Sequence, residues 1–176
     1  GGAPITKYDT TNFKTKFACE VKGFNPENYL DKKEARKLDP FVHYALAATD
    51  EAVKDAGLDF PQLDTNRIGV IWGSGIGGLK TFMDEVSNFA KGDGTPRFNP
   101  FFIPKMILDI APGHISMKYG LRGPNFSTVS ACASSTNSLI DAFNYIRLGM
   151  ADAIISGGSE AIINEAGMGG FNAMHA

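Results

Sequence analysis

The sequence predicts an α/β domain built on a mainly parallel sheet, and three features predict it. Strand-like and helix-like runs alternate along the chain. The stretch "RIGVIWGSGIGGLK", Arg67 to Lys80, is an apolar strand that passes through glycines straight into a helix. A second such unit follows in "NFSTVSACASSTNSLIDAF", and "ADAIISGG" adds a further apolar strand.

Residues 1–16 are polar and irregular, and "KFACEVKGF" alternates loosely enough for a short strand. "NPENYLDKKEARKLDP" reads as a short helix crowded with Lys32, Lys33, Arg36 and Lys37. A stronger helix comes next. Asp39 suits its N-cap and Pro40 its first position, where a missing N–H is tolerated. Phe41, Val42, Ala45, Leu46, Ala52, Val53 and Ala56 recur at helical spacing, and Gly57 ends the helix. The opening strand at 67–72 and a helix from about 76 to 90 follow. "KGDGTPRFNP" is a loop. "FFIPKMILDIAPGHISMKYG" is apolar and partly helical, with Pro112 expected to break or kink it. "NFSTVSA" reads as a strand, "SSTNSLIDAFNYIRLG" as a helix ended by Gly149, and "ADAIISGG" as a buried strand. The end is irregular, then helical around Phe171 and Met174, so the chain is expected to be a fragment. There is no internal repeat and no low-complexity segment.

The composition narrows the class. The chain has 176 residues, enough for one domain or part of a larger one, and is 43% hydrophobic and 20% charged. A net charge of -2 argues against a nucleic-acid binder, which is usually basic. No run reaches the ~18 apolar residues that a transmembrane helix needs, and no secretory signal opens the chain. Cys19 and Cys132 are far apart, in no metal-ligand spacing and in no disulfide framework. A cytosolic protein with free thiols, and without a metal or other cofactor, is expected.

The glycine stretch poses a question. "GSGIGG" satisfies G-x-G-x-x-G with Gly73, Gly75 and Gly78. A dinucleotide cradle also needs a second strand ending near an acidic residue about 20 positions on, to hold the ribose. Asp93 lies there, but in a Gly/Pro-rich loop with no strand before it. The fingerprint is incomplete. The alternative is that the glycines let a helix pack close to the sheet, or keep a cavity open beside Ile76.

Cys132 raises a second question. An apolar strand ends at Ala131, Cys132 follows, and a helix begins almost at once. A cysteine at such a corner points its sulfur at a helix N-terminus, whose free N–H groups and dipole favour the thiolate. Backbone N–H groups at the corner can also receive a developing oxyanion. Ala133, Ser134, Ser135 and Thr136 are small and leave space above the sulfur. The alternative is a small buried core cysteine. Cys19 has no such context. His43, His114 and His175 form no ligand pair and read as structural. Asp141 and Glu160 are acid/base candidates by residue type only.

Taken together, "VSACASS", "GSGIGGL", "FNPFFIPKMI", "YGLRGPN", "DAIISGGSEA" and "GGFNAMHA" resemble the N-terminal half of a β-ketoacyl-acyl carrier protein synthase, above all the elongating type II bacterial form. The resemblance runs from about Pro4 to the last residue, so residues 1–176 are expected to be the N-terminal half of a ketosynthase domain. It implies the thiolase-like fold, layered α-β-α-β-α in the complete enzyme, and a homodimer. It implies Cys132 as the nucleophile that accepts an acyl chain from acyl carrier protein, before decarboxylative Claisen condensation with malonyl-carrier protein. It implies Ile76, Leu79 and Ala131 beside the acyl pocket and Phe102 reaching the partner subunit's pocket. Lys33, Arg36 and Lys37, with Arg97, match positions that dock the acidic carrier protein. The family's two catalytic histidines, a supporting lysine and a glycine-rich gate belong to the C-terminal half, and its first strand to residues before Gly1. The fragment is therefore expected to be inactive alone. A polyketide ketosynthase or another thiolase-like acyltransferase would use the same cysteine. A chain-length partner subunit lacks the nucleophile, so Cys132 argues against it. A dinucleotide-binding domain is the outsider.

Overall fold

A computed structural model describes residues 1–175 of the chain. Its centre is a three-stranded, wholly parallel sheet of β3 (Ile68–Gly73), β4 (Asn125–Thr128) and β5 (Ala153–Gly158), in the order β4-β3-β5. Register runs from Ile68↔Ala153 to Gly73↔Gly158 on one side and from Val70↔Asn125 to Gly73↔Thr128 on the other. Two short strands, β1 (Ala3–Pro4) and β2 (Phe17–Ala18), pair antiparallel apart from this sheet. The expected strand in "KFACEVKGF" is therefore two residues long, and residues 1–16 contribute its partner.

The apolar run "IGVIWG" is buried at every position because β3 is the middle strand. Side chains alternate across it. Ile68, Val70 and Trp72 face a core made with α2 (Pro40–Asp55) and α5 (Ile110–Tyr119), where Phe41, Val42, Leu46 and Ile115 are buried. Gly73 points the other way, toward α6 (Ser134–Arg147), which packs along β3 and β5. Helices on the two faces of a parallel sheet are the α/β arrangement that the alternation predicts.

α2 begins and ends as read. The Asp39 carboxylate accepts the Phe41 N–H, Pro40 opens the helix, and Gly57 stands at φ +61 just beyond it. Its last turn leaves the core, however, so Ala52 and Ala56 are exposed. The basic helix α1 covers only Lys32–Ala35. Arg36 caps it, and Lys37 lies past its end.

Two further readings need correction. Pro112 neither breaks nor kinks a helix. It is the third residue of α5, where its missing N–H has no intrahelical duty, and it is fully buried. The interruption falls earlier, between α4 (Phe102–Met106) and α5. β5 is half-buried, because it is one of the two outer strands of the three. Two helices remain. α3 (Leu79–Lys91) starts three residues later than read, since Gly78 packs directly on the Lys105 and Met106 backbone, leaving the glycine loop before it. α7 (Glu165–Ala173) ends at Ala173, with the Asn164 side chain capping its start.

Candidate active site

The carboxyl ends of the three parallel strands meet at one edge of the sheet, where open α/β sheets commonly bind ligands. Each supplies a loop there. β4 leads into the cysteine corner. Ser130 is extended in φ, Ala131 has φ +50, and Ala131–Ala133 form a tight 3-10 turn that runs into α6. A left-handed alanine costs about 1–3 kcal/mol and persists only where its surroundings hold it. Here the holder is Ser134, 4% exposed. Its hydroxyl accepts the Ser130 N–H at 2.9 Å and donates to the Ala131 carbonyl at 2.7 Å. Asn137 Nδ2 adds a hydrogen bond to Ser130 Oγ at 2.6 Å. The turn lifts Cys132 out of the packing, and its side chain is exposed. The buried-core reading of Cys132 is thereby rejected.

The sulfur opens onto a cavity of about 470 Å³, within the range of small-molecule sites. Ala131, Ile76, Ile162, Phe171 and Met174 give it a largely apolar wall, and Gly75 and Gly158 keep it open. Ile76 and Ala131 therefore share one cavity with Cys132. Leu79 is half-buried at the start of α3 and is not in that wall. Phe102 is also outside it, stacked on Phe98 at 5.4 Å and Phe82 at 6.3 Å. The ladder continues from Phe98 to Phe89 and is largely exposed.

The glycines have specific reasons. A Cβ on Gly73 would stand 2.4 Å from the Ser134 carbonyl group, and one on Gly158 2.7 Å from Ser135 Cβ. These two glycines let α6 lie against the sheet. The loop Ser74–Gly77 does receive an anion, but an internal one. Glu160, two residues past β5, accepts the N–H of Gly75 at 2.8 Å, of Ile76 at 2.9 Å and of Gly77 at 3.0 Å, and the Ser74 hydroxyl at 3.3 Å. Successive amides turned inward form an anion nest, and this carboxylate fills it. Asp93 lies in an exposed loop, bonded to Thr95 and Arg97 rather than ending a strand. The dinucleotide reading is excluded.

Asp141 accepts the Thr128 hydroxyl at 3.1 Å and so ties β4 to α6. His43 Nε2 lies 2.8 Å from the Ala35 carbonyl, joining α2 to the end of α1, and burial pushes its pKa down. Burial lowers His114 in the same way. Asp39 does more than cap α2. Its second oxygen takes the Thr81 N–H and hydroxyl, and burial pushes its carboxyl pKa up against these hydrogen bonds.

The basic residues fall into two groups. Lys37 is held by Glu34 at 2.6 Å and lies over the Phe101 ring, and Arg97 pairs with Asp93. Lys33 and Arg36 are exposed and make no ion pair among the described residues. Also among the described residues, no cluster of three or more His, Cys, Asp or Glu could hold a metal ion, and no helix is long and apolar enough to cross a membrane.

Sequence reasoning missed Glu160 as the loop's anchor, Ser134 as the clamp of the turn, and Ile162 as cavity wall. No local signal marked Glu160: "SGGSE" runs past β5, and its acidic residue comes level with the glycine loop only because β5 pairs with β3.

Comparison with known proteins agrees with this architecture. The chain is 47% identical over 173 residues to 3-oxoacyl-[acyl-carrier-protein] synthase 2 of Staphylococcus aureus, covering 98% of the chain and 42% of that relative. It thus spans about two fifths of the relative's length. Among solved structures, the ishigamide ketosynthase/chain length factor superposes with a TM-score of 0.87 at 24% identity, over 99% of this chain and 43% of that one. A type II PKS acyl-carrier protein in complex with its ketosynthase bound to the hexaketide gives 0.81 at 24% identity, over 87% and 44%. At such identities the structures speak for the fold, which is that of the thiolase-like ketosynthases. A family model described as "Beta-ketoacyl synthase, N-terminal domain" matches residues 4–176, and the chain belongs to that family.

Proposed function

We propose that this chain supplies the nucleophile and the acyl pocket of a 3-oxoacyl-[acyl-carrier-protein] synthase acting in fatty-acid elongation. The observation that carries the reading is the exposed Cys132, on a strained turn at the mouth of an apolar cavity. The Cys132 sulfur attacks the thioester carbonyl of an acyl-carrier protein, and the carrier's thiol leaves. The acyl chain then lies along Ile76 in the cavity. Malonyl-carrier protein loses carbon dioxide, its carbanion attacks the acyl-cysteine, and the Cys132 thiolate departs from a product two carbons longer. Forming the covalent intermediate splits one difficult step into two. The groups that promote decarboxylation belong, by the family resemblance, to the C-terminal half, so this segment does not complete the cycle alone.

Lys33 and Arg36 are the free cations offered to an acidic carrier protein, with Lys37 and Arg97 committed to neighbouring carboxylates. The exposed rings of Phe82, Phe89 and Phe98, laddered with half-buried Phe102, support a homodimer, because paired subunits would cover them. The free cysteines suit a cytoplasmic protein. Identity of 47% to the fatty-acid enzyme, against 24% to the polyketide ketosynthase, favours the fatty-acid substrate over the polyketide alternative. The test is condensation by the full-length protein with labelled malonyl-carrier protein. A labelled product two carbons longer is expected from the parent and none from Cys132→Ala. Product from Cys132→Ala would overturn the assignment.

A further inference from the structure

The loop Ser74–Gly77 forms part of the cavity wall, yet it has little to hold it. Gly75 has no side chain, and Gly77 stands at φ +76, a conformation that glycine enters freely. The N–H groups of Gly75, Ile76 and Gly77 all go to one carboxylate, that of Glu160. That carboxylate comes from the segment just past the neighbouring strand β5. The register Gly73↔Gly158 sets the two strand ends level, and the Ser159 N–H donates to the Gly73 carbonyl at 3.1 Å. Glu160 therefore reaches the loop from a fixed height. On the other side, a Cβ on Gly75 would meet Glu160 Oε2 at 3.1 Å and the Ala131 carbonyl at 3.2 Å. The loop is confined between the clasp and the backbone that carries Cys132. Ile76, at the centre of the loop, has its own amide in the clasp, lines the cavity and is 43% exposed.

We propose that Glu160 is a positioning residue that fixes where Ile76 stands relative to Cys132, and so sets the length of acyl chain the cavity accepts. The inference rests on the acyl-pocket reading of the cavity. A carboxylate suits the role because it accepts several amides at once. A glutamine keeps one acceptor oxygen and turns its NH₂ toward N–H groups, which repels one side of the clasp. An aspartate keeps the charge but falls one methylene short. Freed amides would take up water, and the loop would settle at a different distance from the sulfur.

The experiment uses the full-length protein and measures kcat/KM for a long-chain and a short-chain acyl-carrier protein in the parent, Glu160→Gln and Ile76→Ala, and in the double variant. Glu160→Gln should change the long-to-short ratio by roughly tenfold, the scale on which an apolar pocket discriminates a methylene or two. If Glu160 acts through Ile76, the ratio in the double variant should match that of Ile76→Ala alone. Should Glu160→Gln not fold, Glu160→Asp is read in its place. A fall in thermal midpoint with the ratio kept within about twofold would make Glu160 a purely structural residue and overturn the proposal. So would independent effects of the two substitutions on the ratio. Failure of the parent to acylate Cys132 at all would instead overturn the functional reading.

Discussion

The loops that leave β3 and β4 sit beside each other at the same edge of the sheet, and they are held in opposite ways. The loop after β3 is rich in glycine and relies on Glu160, more than eighty residues away in sequence. The corner after β4 contains a strained alanine and is held by Ser134, three residues on, in the helix it starts. The difference teaches a division of labour. If Cys132 is the acyl acceptor proposed above, the nucleophile's corner carries a short-range support and the adjoining cavity wall a long-range one.

The largest break in this contrast is expected where the two supports meet. Gly73→Ala puts a Cβ 2.4 Å from the Ser134 carbonyl group and pushes α6 off the sheet. It should cost about 3 kcal/mol, at the upper end for overpacking, read as a lower denaturant midpoint of the full-length protein. Gly75→Ala meets looser neighbours at 3.1 and 3.2 Å and should cost about 1 kcal/mol. Equal costs would remove the distinction between a packed corner and an adjustable loop.

Ser134→Ala comes next. It leaves the Ser130 N–H unpaired and removes the hydroxyl's bond to the Ala131 carbonyl, which keeps only the Ser134 backbone N–H, and should cost about 1–3 kcal/mol of stability. The Cys132 acylation rate should drop roughly 100-fold, because the sulfur loses its fixed position. The loss should be the same for short and long acyl chains. A length-dependent loss would mean that corner and wall are one unit.

Ile76→Phe gives the complementary result. Added bulk in the cavity should reduce kcat/KM for long acyl chains roughly tenfold while sparing short ones, compared on the same folded variant. If every chain length fell together, Ile76 would be ordinary packing.

The smallest effect concerns the surface. Charge reversal of Lys33 and Arg36 should raise KM for carrier-bound substrate several-fold and weaken its salt dependence, with small thioesters used as before. Reversal of Lys37 and Arg97, already paired with Glu34 and Asp93, should change KM less. Equal effects of the two pairs on KM would contradict the split.

Local signals were legible in the sequence. Asp39, Pro40 and Gly57 marked the ends of α2 because caps are chosen by backbone groups a few residues away. The unbroken apolar run of β3 announced a strand, and the strand–cysteine–helix order marked the corner that carries Cys132. Other features depend on what the fold brings together. Glu160 meets the glycine loop only once β5 lies against β3. The half-burial of β5 follows from strand order, which no local pattern encodes. Ala131 at φ +50 is invisible in sequence because alanine has no preference for that region. Pro112 was misjudged because its effect depends on where α5 begins.

The central claim, that the Ser134-held corner makes Cys132 the acyl acceptor, is tested most directly by locating the acyl group. The full-length protein is mixed with an acyl-carrier protein, and its cysteine peptides are weighed by mass spectrometry. The acyl mass should appear on the peptide containing Cys132, not on that containing Cys19, and should appear far more slowly in Ser134→Ala. An acyl group on Cys19, or an unchanged rate in Ser134→Ala, would contradict the account.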